Sequence, residues 1–414
     1  MRLSLFWFRR IMKNNIACLK AAFLSCALAA AVCFSSCSGG PAAVEKTGDA
    51  FDAGNGIDSA GQTADADSTG AAADLKEISV DKPEYATGFS IKKYEGGYAE
   101  LDVTDGREYF VVPEGADVPD GISASKIIIR APLEKVYVAS SSSMCRFIDT
   151  GSMDRVACSG LRQDEWKLAE AAEAMASGQI AYTGKYSAPD YETLLTGGCD
   201  LAVENLMILH KPEVIEKLED LGIPVFIDRA SGEEEPLGRT EWIKAYGLLL
   251  GKEEEAAAAF DAQKKMYIEA ESLPTAGKSV ACFYINSQGL VVCPRPDSSM
   301  AKMIAAAGGV YLYPEVQTDG SRLSTMKVDM ESYMAAAGEA DVIIFDGAID
   351  TVSSLADIVG KNAQLKDFKA VQENNVYISG SDAYQNSDDT GTTVHDLYLT
   401  INGQEGAEHI RKAE

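Results

Sequence analysis

Two hydrophobic rhythms alternate along this chain. Short apolar runs of three or four residues recur between longer stretches whose apolar positions repeat at helical spacing. Over residues 126–228 the runs are Ile127-Ile128-Ile129, Val136-Tyr137-Val138, Val156-Ala157-Cys158, Leu201-Ala202-Val203 and Val225-Phe226-Ile227. Helical patterns over 165–175 and 212–221 lie among them. Runs this short, with no polar face, suit strands of a mostly parallel sheet covered on both sides by helices. Leu221-Gly222-Ile223-Pro224-Val225 reads as a helix stop running straight into a strand. From residue 279 the alternation returns. It predicts a strand pair over 279–285 and 290–293 and a helix over 297–307 that ends at Gly308-Gly309. A helix over 328–338 leads into Val342-Ile343-Ile344-Phe345, residues 365–373 lead into Val376-Tyr377-Ile378, and a helix over 393–401 closes the pattern.

Between these blocks, residues 252–272 hold neither Pro nor Gly and are dominated by strong helix formers. Ala256, Ala259, Phe260, Gln263, Met266, Tyr267 and Ala270 fall near one face. Such a rod, roughly 30 Å long, is either a stiff connector between two lobes or an amphipathic helix within one of them. Ahead of the first block, residues 89–112 alternate with period two about Gly96-Gly97, the mark of a β-hairpin or meander. The predicted fold is α/β, with two Rossmann-like lobes joined by one long α-helix and an N-terminal β-hairpin extension. The divisions are an N-terminal α/β lobe with the extension at 76–237, an interlobe helix at 238–273 and a C-terminal α/β lobe at 274–414.

The N-terminus departs from this pattern. Residues 1–36 carry Arg2, Arg9, Arg10, Lys13 and Lys20, no acid, and an uncharged apolar run over 21–34. They read as a signal peptide, with Met1 and Met12 both open as the start. Phe34-Ser35-Ser36-Cys37 resembles a bacterial lipobox, which places a lipid anchor on Cys37 and the protein on the outer side of a cell membrane. Phe34 stands where Leu is commoner, and Cys33 is a poorer alternative. Residues 37–75, rich in Ala, Gly, Asp, Ser and Thr, are expected to be a disordered tether. Five of the 37 basic residues and none of the 63 acidic ones leave with the signal, so the remainder carries a net charge of −31. Nucleic acid is thereby disfavoured as a partner. Five cysteines remain beyond Cys37 (Cys145, Cys158, Cys199, Cys282 and Cys293). They have no CxxC spacing, which suggests free thiols and a reducing habitat.

Little in the sequence supports catalysis. The three histidines are His210, His395 and His409, and the chain contains no G-x-S-x-G elbow and no Walker A motif. Neither a metal nor a cofactor is expected. Binding is better represented, in loops that follow predicted strands, where α/β lobes gather ligands. Ser141, Ser142 and Arg146 offer hydroxyls and a cation after the 136–138 strand, although a plain Ser-rich helix cap explains the same residues. Tyr186 lies in an aromatic and basic run over 182–186. Arg295, which can pair with carboxylate or catecholate oxygens, and Tyr384 follow strands of the second block. Trp242 either lines the cleft or anchors the connector.

Taken in order, these motifs resemble a known family. Leu218-Glu219-Asp220-Leu221-Gly222-Ile223-Pro224-Val225, Pro236-Leu237-Gly238-Arg239-Thr240-Glu241-Trp242-Ile243-Lys244, Arg295-Pro296-Asp297-Ser298, Ala306-Ala307-Gly308-Gly309 and Asp329-Met330-Glu331 are similar to those of ABC-importer substrate-binding lipoproteins. The subgroup is the class III periplasmic binding proteins for iron–siderophore, haem and cobalamin, and the likeness spans residues 126–398. It implies a monomer that holds a metal-chelate ligand between two lobes and delivers it to an ABC permease and its ATPase. Of the three ligand types, a ferric siderophore suits the Arg and Tyr residues slightly best. The resemblance also implies one permease-docking glutamate per lobe, at Glu192 and Glu331. The rival expectation is a surface enzyme or interaction module on the same fold.

Overall fold

A computed structural model describes residues 75–315 and 323–414. The expected signal peptide, nearly all of the expected tether and Cys37 lie outside the described residues. The N-terminal region is larger than a hairpin. Strands β1 (Glu77–Asp81), β2 (Phe89–Tyr94), β3 (Ala99–Val103), β4 (Glu108–Pro113) and β5 (Ile127–Ala131) form one five-stranded sheet in that order. The first four run antiparallel, and β5 joins β4 in parallel, with Tyr109 opposite Ile127 and Val111 opposite Ile129. Alternation puts Phe89, Ile91, Leu101, Val103, Tyr109 and Val111 into one core cluster with Ile129. The Ile127–Ile129 run was expected in the lobe-one sheet. Three consecutive isoleucines satisfy any covered strand, and periodicity does not name the partner.

The lobe-one sheet comprises β6 (Val136–Val138), β7 (Val156–Ser159), β8 (Ala181–Tyr182), β11 (Leu201–Asn205) and β12 (Val225–Asp228), in the order β12-β11-β6-β7-β8, with every pairing parallel. A small ribbon of β9 (Gly184–Lys185) and β10 (Ala188–Pro189) stands beside it. Along β11, Leu201 and Val203 face the cluster shared with the N-terminal sheet, and Ala202 faces a second cluster under the covering helices. Both faces are therefore apolar, as a buried parallel strand requires.

The stretch 238–273 is not one unbroken helix. Helices Pro236–Glu241, Ile243–Leu250 and Glu253–Glu271 follow one another. Gly251 ends the second in the left-handed region, at φ 65°, where a side chain would strain the backbone. The third helix, 19 residues long, is the rod. Its Ala256 and Phe260 pack on Ile243 of the preceding helix.

Lobe two carries β13 (Ser279–Ile285), β14 (Val291–Pro294), β15 (Val310–Tyr311), β16 (Thr325–Val328), β17 (Val342–Phe345), β18 (Val376–Ser379) and β19 (Ile410–Lys412). Their order is β16-β14-β13-β17-β18-β19, with β15 also on β13. The centre is parallel, and β14, β16 and β19 run antiparallel to their neighbours. Helix Thr390–Asn402 docks on the rod at Gly391, where a Cβ would fall on the Gln263 carbonyl oxygen. The Gln263 Oε1 accepts the Gly391 and Thr392 amides at 2.8 and 3.1 Å.

Candidate functional site

Parallel sheets leave loops at the carboxyl ends of their strands, and here two such edges meet. From lobe one come Ser140–Ser143 after β6, Gly160–Arg162 after β7 and Thr183 after β8. From lobe two comes the segment 383–389 after β18. Gln385 bridges to the lobe-one backbone, accepting the Lys167 amide at 2.7 Å and donating to the Glu165 carbonyl at 3.0 Å. The Ser387 hydroxyl donates to the Ser142 carbonyl at 2.9 Å.

Arg146 lies beneath these contacts with no exposed surface. Its guanidinium donates to Asp228 at the end of β12, to Asp388 Oδ1 of lobe two at 2.9 Å and to the Arg239 carbonyl of the connector at 3.2 Å. The Tyr246 ring centroid lies 5.1 Å from it. Asp228 Oδ2 also accepts from the Ser143 and Tyr246 hydroxyls at 2.6 and 2.7 Å. One guanidinium thus ties together both lobes and the connector. Burial pushes the Asp388 carboxyl up to about 8 even with Arg146 beside it, while the Asp149 carboxyl, on a residue exposed at its edge, is raised to about 6 by partial desolvation and by the nearby Asp389 charge.

These contacts revise the predicted site. Arg146 is a buried clamp, since its guanidinium has no exposed surface and both terminal nitrogens are held by two carboxylates and a carbonyl. Trp242, fully buried, is the anchor and not a cleft residue. Its Nε1 donates to Glu233 at 2.8 Å and its ring meets Phe89 edge-on at 5.0 Å. Arg295 is 8% exposed, and its backbone amide bonds the Ser324 carbonyl at 2.9 Å. Tyr186 is half-buried against the lobe-one core beneath the helices. Ser141 and Ser142 remain at the lobe-one edge, half-buried. Tyr384 is 48% exposed at the lobe-two edge, and its hydroxyl donates to Asp346 Oδ2 at 2.7 Å.

Two further residues stand on this rim, of which Arg162 was missed and Tyr182 belongs to the aromatic and basic run over 182–186. Tyr182, at the end of β8, is 41% exposed, and the Arg162 guanidinium sits 6.0 Å from its ring centroid. The position of Arg162 in the loop beyond β7 was the available signal. Glu204 was missed as well. It has no exposed surface and neither carboxylate oxygen has a hydrogen-bond partner, so burial holds its pKa well above the usual carboxylate range.

Glu192 and Glu331 occupy matching settings. Each is exposed in the first turn of a short helix, Tyr191–Gly197 or Met330–Ala337. Asp190 caps the first through the Thr193 amide at 3.1 Å and hydroxyl at 2.7 Å, and Asp329 caps the second through the Ser332 amide and hydroxyl, both at 2.8 Å. Both caps sit on carboxyl edges. The Asp190 amide bonds the Thr183 carbonyl just past β8, and Asp329 directly follows β16, which runs in the same sense as β13. The two helix starts share an Asp-x-Glu-Thr/Ser pattern.

Among the described residues, one trio of metal-ligating type converges. Cys145, Asp149 and Asp388 each offer a ligand atom within 4.8 Å of the others. A surface cavity of about 410 Å³ opens in lobe two alongside Ser379–Asp382 and Glu408–Arg411.

A family model described as periplasmic binding protein matches residues 150–383. An uncharacterized lipoprotein of Methanocaldococcus jannaschii is 25% identical over 276 residues, covering 62% of this chain and 62% of that relative, so the chain spans about three-fifths of the relative's length. Among solved structures, a periplasmic binding protein from Veillonella parvula superposes with a TM-score of 0.53 at 17% identity, over 67% of this chain and 93% of that one. A periplasmic heme-binding protein from Pseudomonas aeruginosa gives 0.52 at 14%, over 67% and 94%. A petrobactin-binding protein from Bacillus subtilis gives 0.50 at 15%, over 66% and 92%. At these identities the structural likeness is one of fold.

Proposed function

The chain belongs to the periplasmic binding protein family, and from that premise we propose that it is the extracytoplasmic substrate-binding component of an ABC importer. Its cargo is an iron complex held between the lobes, a ferric siderophore ahead of haem or cobalamin. The observation that carries this reading is the meeting of two strand-carboxyl edges, with exposed Arg162 and Tyr182 on one and exposed Tyr384 on the other. An arginine with flanking aromatic faces suits an anionic chelate that carries catecholate or carboxylate oxygens. Siderophore and haem binders among the solved structures of this fold support the ligand class, and a lipoprotein relative supports anchoring through Cys37. The role needs no bond to be made or broken.

The test is a titration of the chain from residue 74 onward with ferric siderophores, haem and cobalamin, read by tryptophan fluorescence and native mass spectrometry. Trp166 is a built-in reporter, because its neighbours Glu165 and Lys167 carry the lobe-two contact to Gln385. Tight one-to-one binding of one class is expected. Turnover of a ligand, or no binding across the panel, would favour the surface enzyme or interaction module.

A further inference from the structure

Charge is unbalanced where the lobes meet. Arg146 is shared between Asp228 and Asp388, which leaves one of those two carboxylates without its own counter-charge. Asp149 adds a third carboxylate beside them, and Asp389 and Glu170 add negative potential around it. Asp388 is 1% exposed, and only its Oδ1 is engaged, by Arg146 and by the Ser387 hydroxyl. Its Oδ2 is buried with no hydrogen-bond partner. An orphaned carboxylate oxygen in such a place is a costly feature unless something occupies it. The Cys145 sulfur lies close to these carboxylates, 3.3 Å from the Ser142 carbonyl and 3.7 Å from the Ser387 hydroxyl.

We propose that Cys145, Asp149 and Asp388 form a site for one thiophilic divalent cation of the zinc class, bridging the two lobes. Cys145 and Asp149 stand four residues apart on helix Met144–Asp149, so they share a face, while Asp388 comes from lobe two. One sulfur and two carboxylates are a borderline-soft set, which favours zinc or cobalt over calcium or magnesium. Arg146 stays on Asp388 Oδ1, and the ion takes a position that the guanidinium does not fill. Binding breaks the Cys145 S–H bond and, where Asp388 carries a proton, its O–H bond; sulfur–metal and oxygen–metal bonds form, and the protons pass to solvent. Asp149, the exposed member, gives the ion its way in. Because the ligands come from both lobes, the bound ion staples them together, whichever cargo the groove takes.

The experiment titrates Co²⁺ into the purified, reduced chain and follows thiolate-to-cobalt charge-transfer absorption, then displaces it with Zn²⁺. The expected result is saturation at one equivalent, loss of the band in Cys145→Ala and its retention in Cys293→Ala. Asp149→Asn changes an exposed residue and leaves the core intact. It should weaken Co²⁺ binding by about tenfold or more. The proposal falls if no sulfur–cobalt band develops at one equivalent, if the band survives Cys145→Ala, or if Asp149→Asn binds Co²⁺ as tightly as the parent chain.

Discussion

A guanidinium with no exposed surface has to meet its charge inside the protein, and Arg146 does so with Asp228 and Asp388. Removing it leaves both carboxylates buried and close together. Arg146→Met is therefore expected to lower stability by about 3–5 kcal/mol, the usual cost of breaking a buried pair from one side. Urea unfolding at pH 7 measures this, and adding Asp388→Asn should recover part of the loss. A variant of unchanged stability that no longer binds ligand would return Arg146 to the ligand site. The sequence made this arginine visible as a cation in a loop beyond a strand. It did not show its depth, because the enclosing partners lie 82 and 242 residues further along. The depth of Trp242, left open between cleft and connector, and of Arg295 was hidden in the same way. Residue type announces what a side chain can do, and burial by distant segments decides whether it can reach a ligand. Tyr384 is exposed, as a loop position at the sheet edge allows.

Among elements, the N-terminal sheet is bound into the molecule by two carboxylates from the start of the connector. Glu241 accepts the amides of Glu84, Tyr85 and Ala86 at 3.0, 2.7 and 3.0 Å, and Lys244 Nζ at 2.7 Å. Glu233 accepts the amides of Thr87 and Gly88 at 2.9 and 2.8 Å. Burial alone would raise the Glu241 pKa, but the Lys244 contact and the three amides outweigh it and hold the carboxyl below its usual range. A lowered native pKa stabilises the fold above the unfolded value of about 4.3 and is lost as pH falls through the native one. Glu241→Ala should cost at least about 3 kcal/mol at pH 7, since it strands several charge-assisted bonds. The difference from the parent chain should shrink below about pH 4. Amide exchange at Tyr85 and Ala86 checks the structural side, because both should lose protection in the variant. Slow exchange there after the substitution would mean that the sheet holds itself in place. Period-two alternation made β2 and β3 legible, and the Pro- and Gly-free run made the rod legible. The parallel docking of β5 on β4 was not, since hydrophobic pattern specifies a covered face and leaves the neighbour open.

On the scale of the whole molecule, the two lobes present the same device. Each has an aspartate-capped helix at a strand-carboxyl edge with a glutamate exposed in its first turn. Behind each helix a second aspartate pins the next strand. Asp200 accepts the Glu134 and Lys135 amides at 2.7 and 3.0 Å, and Asp341 accepts the Ser279 amide and hydroxyl, both at 2.8 Å. The glutamates are thus held on rigid turns, which is what fixed docking points need. In the proposed importer, Glu192 and Glu331 meet cations of the permease. Reversing both to lysine should abolish uptake in cells while leaving ligand affinity unchanged. Stability should move by no more than about 0.5 kcal/mol, since both residues are exposed. Single reversals should each weaken docking by roughly tenfold or more, and the remaining attraction should fade with added salt. Uptake by reconstituted vesicles, set beside a ligand titration of the same variants, separates docking from binding. Uptake at the parental rate with both charges reversed would remove these glutamates from the docking surface, while loss of ligand affinity in the same variants would place them in the groove.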